Sequence, residues 1–123
     1  MEDRLTPTVL VVDDEPLVLL NASEMVEQAG WIALEASNSA EAVDVLTRHP
    51  RVDLLFTDIN MPGDMNGLQL AAWVHEHHPH VHLVITSGKG FLPDYVMPDS
   101  GTFVPKPYTY HQLLGVLGGK LAS

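Results

Sequence analysis

The chain has 123 residues and a formal net charge of −10, from 16 acidic residues against six lysines and arginines. This length fits one domain with its own core, and such acidity argues against direct binding of nucleic acid. Cysteine is absent, which excludes disulfides and thiolate metal sites, and no apolar run approaches the roughly 18 residues of a membrane span. We therefore expect a globular, cytoplasmic protein without membrane insertion.

Apolar runs and helical spacing alternate along the chain, separated by residues that favour turns and caps. Gly30 is a natural stop for the first predicted helix. Asn38 followed by Glu41 has the spacing of a capping box, and Pro79 closes the third helix. In chain order, the predicted elements are a strand at 8–13, a helix at 16–29, a strand at 31–36, a helix at 38–48, a strand at 52–58, a helix at 67–77, a strand at 82–87, a strand at 102–106 and a helix at 108–117.

The segment between the fourth and fifth predicted strands is irregular. It reads GKGFLPDYVMPDS at residues 88–100, with Pro93 and Pro98 five positions apart. A proline in a helix interior costs on the order of 3 kcal/mol, so a full helix cannot form there. We therefore expect a shortened or irregular fourth helix.

Strands that alternate with helices at this spacing indicate βαβ units, and such units indicate a parallel sheet covered on both faces. The sequence contains no internal repeat, no linker and no sign of a second domain. We expect an α/β fold with a doubly wound, five-stranded parallel sheet, in a single domain over residues 1–123.

Polar residues follow the predicted strands at the end where parallel sheets bind their ligands. They are Asp13, Asp14, Asp58, Thr86, Ser87 and Lys106. Adjacent carboxylates repel each other, so a shared cation is a natural neutraliser. Oxygen ligands without cysteine favour a hard ion, Mg²⁺ first. A lysine and a hydroxyl beside that ion would complete a cradle for an anion such as a phosphoryl group.

Four motifs occur together in this chain: VVDDE at 11–15, LLFTDINMP at 54–62, TSG at 86–88 and FVPKP at 103–107. In this order and near this spacing, they resemble the receiver domain of two-component response regulators, over essentially the whole chain. The resemblance implies a flavodoxin-like (βα)5 fold with the strand order 2-1-3-4-5.

The resemblance also implies a phosphorelay function centred on Asp58. This residue would accept a phosphoryl group from the phosphohistidine of a histidine kinase or phosphotransfer protein. Asp13 and Asp14 would hold Mg²⁺ together with the Asp58 carboxylate. The backbone carbonyl of Asn60 would be a further ligand, and Lys106 would bind a phosphoryl oxygen. Such a domain is a regulatory phospho-acceptor that catalyses only its own phosphorylation and dephosphorylation.

The same resemblance assigns a switch and two positions that set the lifetime of the acyl phosphate. Thr86 would move its hydroxyl onto the phosphoryl group, and Phe103 matches the aromatic residue that turns inward with it. Asn60 and Gly88 match the lifetime-tuning positions. The spacing from the acceptor to Gly67 is one residue longer than the commonest family spacing, and is similar to that of many single-domain regulators and hybrid-kinase receivers.

Two other interpretations remain open. A pseudo-receiver that acts only as a binding module would be favoured if Asp58, Asp14 or Lys106 were missing, and all three are present. A small Mg²⁺-dependent phosphatase with an aspartyl nucleophile is the second. Phosphatases of the haloacid dehalogenase type place another aspartate two positions after the nucleophile, where this chain has Asn60.

The chain ends at Ser123, six positions after the predicted end of the last helix. We expect a stand-alone regulator if Met1 is the native start, and otherwise the receiver of a longer chain.

Five of the seven histidines lie in HEHHPHVH, residues 75–82, and this density suggests a transition-metal site. A metalloprotease motif HExxH would need a histidine at position 79, where the chain has Pro79. We expect a solvated helix end instead, away from the predicted site.

Overall fold

The computed structural model of the protein describes residues 6–88 and 101–122. Its five strands in these ranges are β1 (Thr8–Val12), β2 (Ile32–Ala36), β3 (Leu54–Asp58), β4 (His82–Ser87) and β5 (Thr102–Pro105). Its four helices in the same ranges are α1 (Pro16–Gln28), α2 (Ser39–Arg48), α3 (Gly67–His77) and α4 (Tyr110–Leu121). The predicted α/β class and the order of these elements are confirmed.

The five strands form one sheet in the order β2-β1-β3-β4-β5. Every neighbouring pair is parallel, which confirms the predicted flavodoxin-like topology. Strand order reverses beside β1, where the chain crosses from β2 to β3, and the carboxyl ends of adjacent strands open there. This is the position at which doubly wound sheets bind their ligands.

Alternating side chains of the central strands fill a separate core on each face of the sheet. On one face, Leu10, Leu55 and Ile85 pack with buried residues of α2 and α3. On the other face, Val11 and Phe56 pack with buried residues of α1 and α4. Burying a side chain of this size stabilises the fold by about 1.5–3 kcal/mol relative to exposure, so the central strands give the site a rigid base.

Side-chain caps fix where three of the helices begin. Asn38 accepts a hydrogen bond from the backbone N–H of Glu41 at the start of α2. The Glu41 carboxylate accepts from the backbone N–H and hydroxyl of Ser37, so the predicted capping box forms only in part. Complete capping boxes start α3, at Asn66 and Gln69, and α4.

The predicted range of the last helix, 108–117, is wrong at both ends. Thr109 is the N-cap of α4 and forms a capping box with Gln112, so the helix begins two residues later than predicted. Gly118 and Gly119 do not end it, and α4 continues to Leu121. A Cβ at Gly118 would lie 3.8 Å from the ring of Trp31, an ordinary van der Waals distance, and a Cβ at Gly119 would meet nothing within 4 Å.

Smaller differences concern single residues at element ends. The predicted stop of α1 is confirmed at Gly30, whose φ of 90° favours glycine. The first helix ends at Gln28, the second strand begins at Ile32, and the third begins at Leu54. The predicted irregular fourth helix at 90–98 lies outside the described residues. No helix in the described ranges has the length and apolar character needed to cross a membrane.

Candidate functional site

The polar edge of the sheet forms where four parallel strands end beside one another. Asp13 directly follows the last residue of β1, whereas Asp58 is itself the last residue of β3. Thr86 lies opposite Asp58 in the β3–β4 register, and Lys106 directly follows β5. The sheet therefore brings together the acids, the hydroxyl and the lysine that the sequence predicted at this edge.

Three carboxylates at this edge form a group that can hold a cation. One carboxylate oxygen from each of Asp13, Asp14 and Asp58 lies within 4.8 Å of the other two. Asp13 and Asp58 are buried, with relative exposures of 4% and 6%, whereas Asp14 is exposed. Asp58 Oδ1 is buried without a hydrogen-bond partner in the described part of the chain. Because an unpartnered buried carboxylate oxygen is costly, this donor set fits a hard divalent ion.

Lys106 places its ammonium group against two of these acids. Its Nζ donates a long hydrogen bond to Asp13 Oδ2 at 3.4 Å and lies 3.6 Å from Asp58 Oδ2, so it forms ion pairs with both carboxylates. The backbone N–H of Lys106 donates to the carbonyl of Ser87 at 3.0 Å. The backbone of Lys106 is therefore hydrogen-bonded to the end of β4, while its side chain extends to the two acids.

Burial raises the pKa of the Asp58 carboxyl group above its ordinary value of 3.8. The charge of Lys106 lowers this pKa, the charge of Asp13 raises it, the backbone N–H of Asn60 lowers it and the charge of Asp14 raises it, in decreasing order of effect. Burial and neighbouring acids thus disfavour the charged carboxylate. A cation bound at this edge would favour the charged form again.

Gly67 allows the chain to pass close to the backbone of Asp58. A Cβ at position 67 would overlap the carbonyl oxygen of Asp58 and would lie 2.8 Å from the Cα of Ile59. The backbone N–H of Gly67 donates to the carbonyl of Ile59 at 2.9 Å. Any larger residue would push α3 away from the end of β3, so Gly67 does more than begin a helix.

The loop between Asp58 and Gly67 is held at both of its ends. The hydroxyl of Thr57 donates to the carbonyl of Asp58 at 3.0 Å, and the side chain of Met61 is buried. Gly63 takes a φ of 109°, which favours glycine. The backbone around Asp58 is therefore fixed by local bonds and by core packing.

The predicted switch residues lie on neighbouring strands. Thr86 is buried at the end of β4, and its Oγ1 has no hydrogen-bond partner among the described residues. Phe103 of β5 is half-buried and packs against the core on the α2 and α3 face. Thr86 is paired with Val104 in the β4–β5 register, one position after Phe103.

The two predicted lifetime-tuning positions flank the polar edge. Asn60 is exposed, and its side-chain Nδ2 donates to Ser87 Oγ at 3.2 Å. Gly88 is exposed, and a Cβ there would lie 3.9 Å from the Cβ of Lys106. The roles of both residues stay predictions, as does metal binding by the Asn60 carbonyl.

No role was predicted for Tyr108, which lies beside the site. Its ring packs edge-on against Phe56 with ring centroids 5.7 Å apart. Burial and the charges of Asp13 and Asp58 raise the pKa of Tyr108 to about 12. The signal in the sequence was an aromatic residue two positions after Lys106, which is hard to distinguish from an ordinary core residue.

The histidine-rich segment forms a stacked surface cluster at the end of α3. His77 stacks on Trp73 with centroids 4.3 Å apart, and its Nδ1 donates to the Trp73 carbonyl. His80 Nε2 donates to the carbonyl of Pro50. Burial, followed by the charges of His80 and His77, lowers the pKa of His78. In the described ranges, no three histidines come close enough together to hold a metal ion.

The fold and this site agree with one protein family. The family model for the response regulator receiver domain matches residues 9–117. The chain belongs to the response regulator receiver domain family. The match covers the five strands from Val9 onward and the first two thirds of α4, so the predicted membership is confirmed.

Three known proteins illustrate this similarity. The chain is 28% identical to the sensor kinase CckA of Brucella abortus (strain 2308) over 110 residues, 86% of this chain and 12% of the kinase. It is 33% identical to the transcriptional regulatory protein GlrR of Escherichia coli (strain K12) over 88 residues, 72% of this chain and 19% of that protein. It also resembles the crystal structure of a response regulator receiver protein from Sinorhizobium medicae WSM419, with a TM-score of 0.89 and 27% identity over 96% of each chain.

The chain spans less than a fifth of these two curated relatives. The similarity therefore concerns only a part of each relative, and one of them is named a sensor kinase and the other a transcriptional regulatory protein.

Proposed function

We propose that this receiver domain accepts a phosphoryl group on the Asp58 carboxylate, taken from the phosphohistidine of a histidine kinase or a phosphotransfer protein. One observation carries the proposal: Asp58 is buried at the end of β3 with one oxygen unpartnered, beside two acids and Lys106. A carboxylate nucleophile must overcome charge repulsion with the incoming phosphate, and the surrounding groups can reduce that repulsion.

The transfer step is a displacement at phosphorus. A carboxylate oxygen of Asp58 forms an O–P bond while the P–N bond to the donor imidazole breaks. The electron pair of that bond goes to the imidazole nitrogen, which takes up a proton from solvent. Lys106 Nζ, 3.6 Å from Asp58 Oδ2, then stabilises the negative charge on a phosphoryl oxygen. Hydrolysis by water reverses the modification and leaves the aspartate free.

The three clustered carboxylates, joined by the backbone carbonyl of Asn60, would hold Mg²⁺. Such an ion would supply positive charge that reduces the repulsion between the aspartate and the incoming phosphate. Asp13 is prepared for this role because its Oδ1 accepts the backbone N–H of Glu15 at 2.9 Å, which fixes the orientation of the carboxylate. Asp14, which is exposed, would close the site from the solvent side.

The unpartnered hydroxyl of Thr86 supports a conformational response to phosphorylation. A phosphoryl oxygen on Asp58 offers this hydroxyl an acceptor, and Thr86 lies directly opposite Asp58 in the sheet. A rotation of Thr86 would open space on the strand beside Phe103, which is only half-buried. Asn60 and Gly88, at the mouth of the site, would control the access of water and thereby the phosphoryl lifetime.

Exposed apolar side chains next to the site support a protein as the phosphoryl donor. Leu17 is 75% exposed and Leu20 is 48% exposed, both on α1 shortly after Asp14. The two leucines are three positions apart and therefore lie on the same side of the helix, where a protein donor would bury them together. Such a protein would act as a regulatory switch and would not turn over external substrates. It would form a single domain over residues 1–123 and would function in the cytoplasm.

The test is phosphorylation with a small-molecule donor, followed by intact-mass measurement. The chain would be incubated with acetyl phosphate in the presence of Mg²⁺ and, separately, of EDTA. We expect a gain of one phosphoryl mass with Mg²⁺ and none with EDTA. The Asp58→Asn variant should gain nothing under either condition.

Two controls separate this proposal from its alternatives. Asp44→Asn removes a surface carboxylate that pairs with Arg48 and should leave the phosphoryl gain intact. If the parent chain gains no phosphoryl mass while calorimetry detects Mg²⁺ binding, the chain is a pseudo-receiver. Multiple-turnover hydrolysis of an added phosphomonoester would instead support the phosphatase.

A further inference from the structure

A second surface feature lies at the opposite end of the strands from the acidic site. A groove of about 360 Å³ runs between the start of β2 and the loop that joins α2 to β3. Its floor is apolar and includes Ile32, Leu34 and Val52, while Arg48 and Arg51 lie on its rim. Ile32 is 41% exposed, one of three large apolar residues so exposed in the described ranges. The groove thus combines an apolar floor with a cationic rim.

The groove borders an unpaired edge of the sheet. Within the described residues, β2 is the outermost strand and pairs with β1 alone. The N–H of Ile32 donates to the carbonyl of Pro7, and the carbonyl of Ala36 accepts from the N–H of Asp13, which follows β1. The even-numbered residues therefore use the inner edge, and Ala33 and Glu35 present their N–H and C=O groups to the outer edge. Such an edge can accept another strand.

The charge of the groove is opposite to that of the whole chain. The chain has six lysines and arginines against 16 acids, yet two of the six line this groove and no acid of the described residues does. Arg48 pairs with Asp44 at 2.9 Å, whereas Arg51 has no ion pair among the described residues. A positive rim in an acidic molecule complements an acidic partner.

We propose that this groove and the outer edge of β2 dock an extended acidic segment of a partner protein. The segment adds a strand beside β2, so that its backbone bonds to Ala33 and Glu35. Its apolar side chains lie against Ile32 and Leu34, and its carboxylates face Arg51 and Arg48. The proposal does not depend on phosphorylation, because the groove shares no residue with the acidic site.

The first test measures binding of a fluorescent peptide of alternating valine and aspartate by anisotropy. A peptide with lysine in place of aspartate is the matched probe. We expect the acidic peptide to bind, with an affinity that falls as salt rises, and the lysine peptide not to bind. Arg51→Gln should weaken binding about fivefold. Asn21→Asp changes the net charge equally at an exposed position of α1 and should leave the affinity unchanged.

The second test locates the peptide by amide NMR. We expect the amides of Ala33 and Glu35 to shift and to become protected from hydrogen exchange. Equal binding of both peptides, equal weakening by Arg51→Gln and Asn21→Asp, or shifts confined to other strands would overturn the proposal. A second result would also overturn the proposal: the peptide does not bind, and sedimentation shows a dimer that the Ile32→Asp substitution dissociates. In that case, a second copy of the chain would occupy the groove.

Discussion

Asp58 occupies the last position of a buried strand, where its carboxyl group lies near two other acids and a lysine. Burial raises its pKa, the Lys106 charge opposes this effect, and the net shift remains upward. The folded protein therefore holds a carboxylate that costs stability when it is charged. A cation bound by the three acids would relieve this cost, because it favours the charged form of the carboxylate.

Asp58→Asn should stabilise the protein at neutral pH in the presence of EDTA. A carboxyl group with a raised folded pKa favours folding in its protonated form, and its contribution to stability is lost as the pH rises through that pKa. The variant should unfold at higher denaturant concentration at pH 7, with a gain of about 1 kcal/mol. The gain should shrink as the pH falls toward 3.8, the ordinary aspartate value.

Urea unfolding of both chains across this pH range checks the prediction. Asp44→Asn is the control, since it removes an exposed carboxylate paired with Arg48 and should not stabilise. A gain that is independent of pH would contradict the assigned cause.

Gly67→Ala should destabilise the protein by about 3 kcal/mol, because the new Cβ would overlap the Asp58 carbonyl and force α3 to move. Gly115→Ala is a matched change in α4, where a Cβ meets nothing within 4 Å. It should stabilise by about 0.5–1 kcal/mol through helix propensity. Chemical denaturation of the two variants measures both effects, and similar stabilities would disprove the close approach.

Element by element, local signals made most of the fold predictable. The apolar run ending in Asp58, the helix stop at Gly30 and the cap at Asn38 each depend on neighbours in the chain. The range of α4 was harder, because Gly118 and Gly119 weaken a helix in isolation. The structure nevertheless continues α4 through both glycines to Leu121, and no local pattern encodes this.

The residues of the candidate site could be predicted from the sequence, but many of the contacts that position them could not. Aspartates and a lysine at strand ends are visible in the sequence, and the parallel sheet brings them together. Contacts between residues that are far apart in the sequence could not be predicted from it. The close approach of Gly67 to Asp58 and the placement of Tyr108 on Phe56 both join separate elements, so they required the folded structure.

At the element scale, the cap of α4 sets the position of the helix behind Lys106. Thr109→Ala removes the hydroxyl that accepts the Gln112 N–H at 3.0 Å and should cost about 1 kcal/mol. Thr109→Ser keeps this acceptor and should cost little. Thermal unfolding compares the two variants, and equal losses would show that the hydroxyl cap contributes nothing.

The whole molecule separates its charges. The carboxyl ends of the strands hold the acid cluster, while two arginines lie on the β2 groove near the other end of the sheet. A cation and an acidic partner would therefore bind at distinct places. Because of this separation, binding of a cation to the acid cluster, or phosphorylation there, would leave the β2 groove available to a partner.

Mg²⁺ should stabilise the whole domain through the acid cluster. A ligand at 100 times its dissociation constant adds about 2.7 kcal/mol to the unfolding free energy, which calorimetry would record as a higher Tm that EDTA reverses. Asp13→Asn removes one ligand of the cluster and should reduce this rise. An equal rise in both proteins would place the ion elsewhere.

The residue that carries the phosphoryl group can be identified chemically. After reaction with acetyl phosphate and Mg²⁺, borohydride would reduce an aspartyl phosphate to homoserine, and tandem mass spectrometry of the digested chain would locate it. We expect homoserine at position 58 in the parent, none at positions 13 and 14, and none in Asp58→Asn. Homoserine at another position, or none in a chain that binds Mg²⁺, would contradict the assignment of Asp58 as the acceptor.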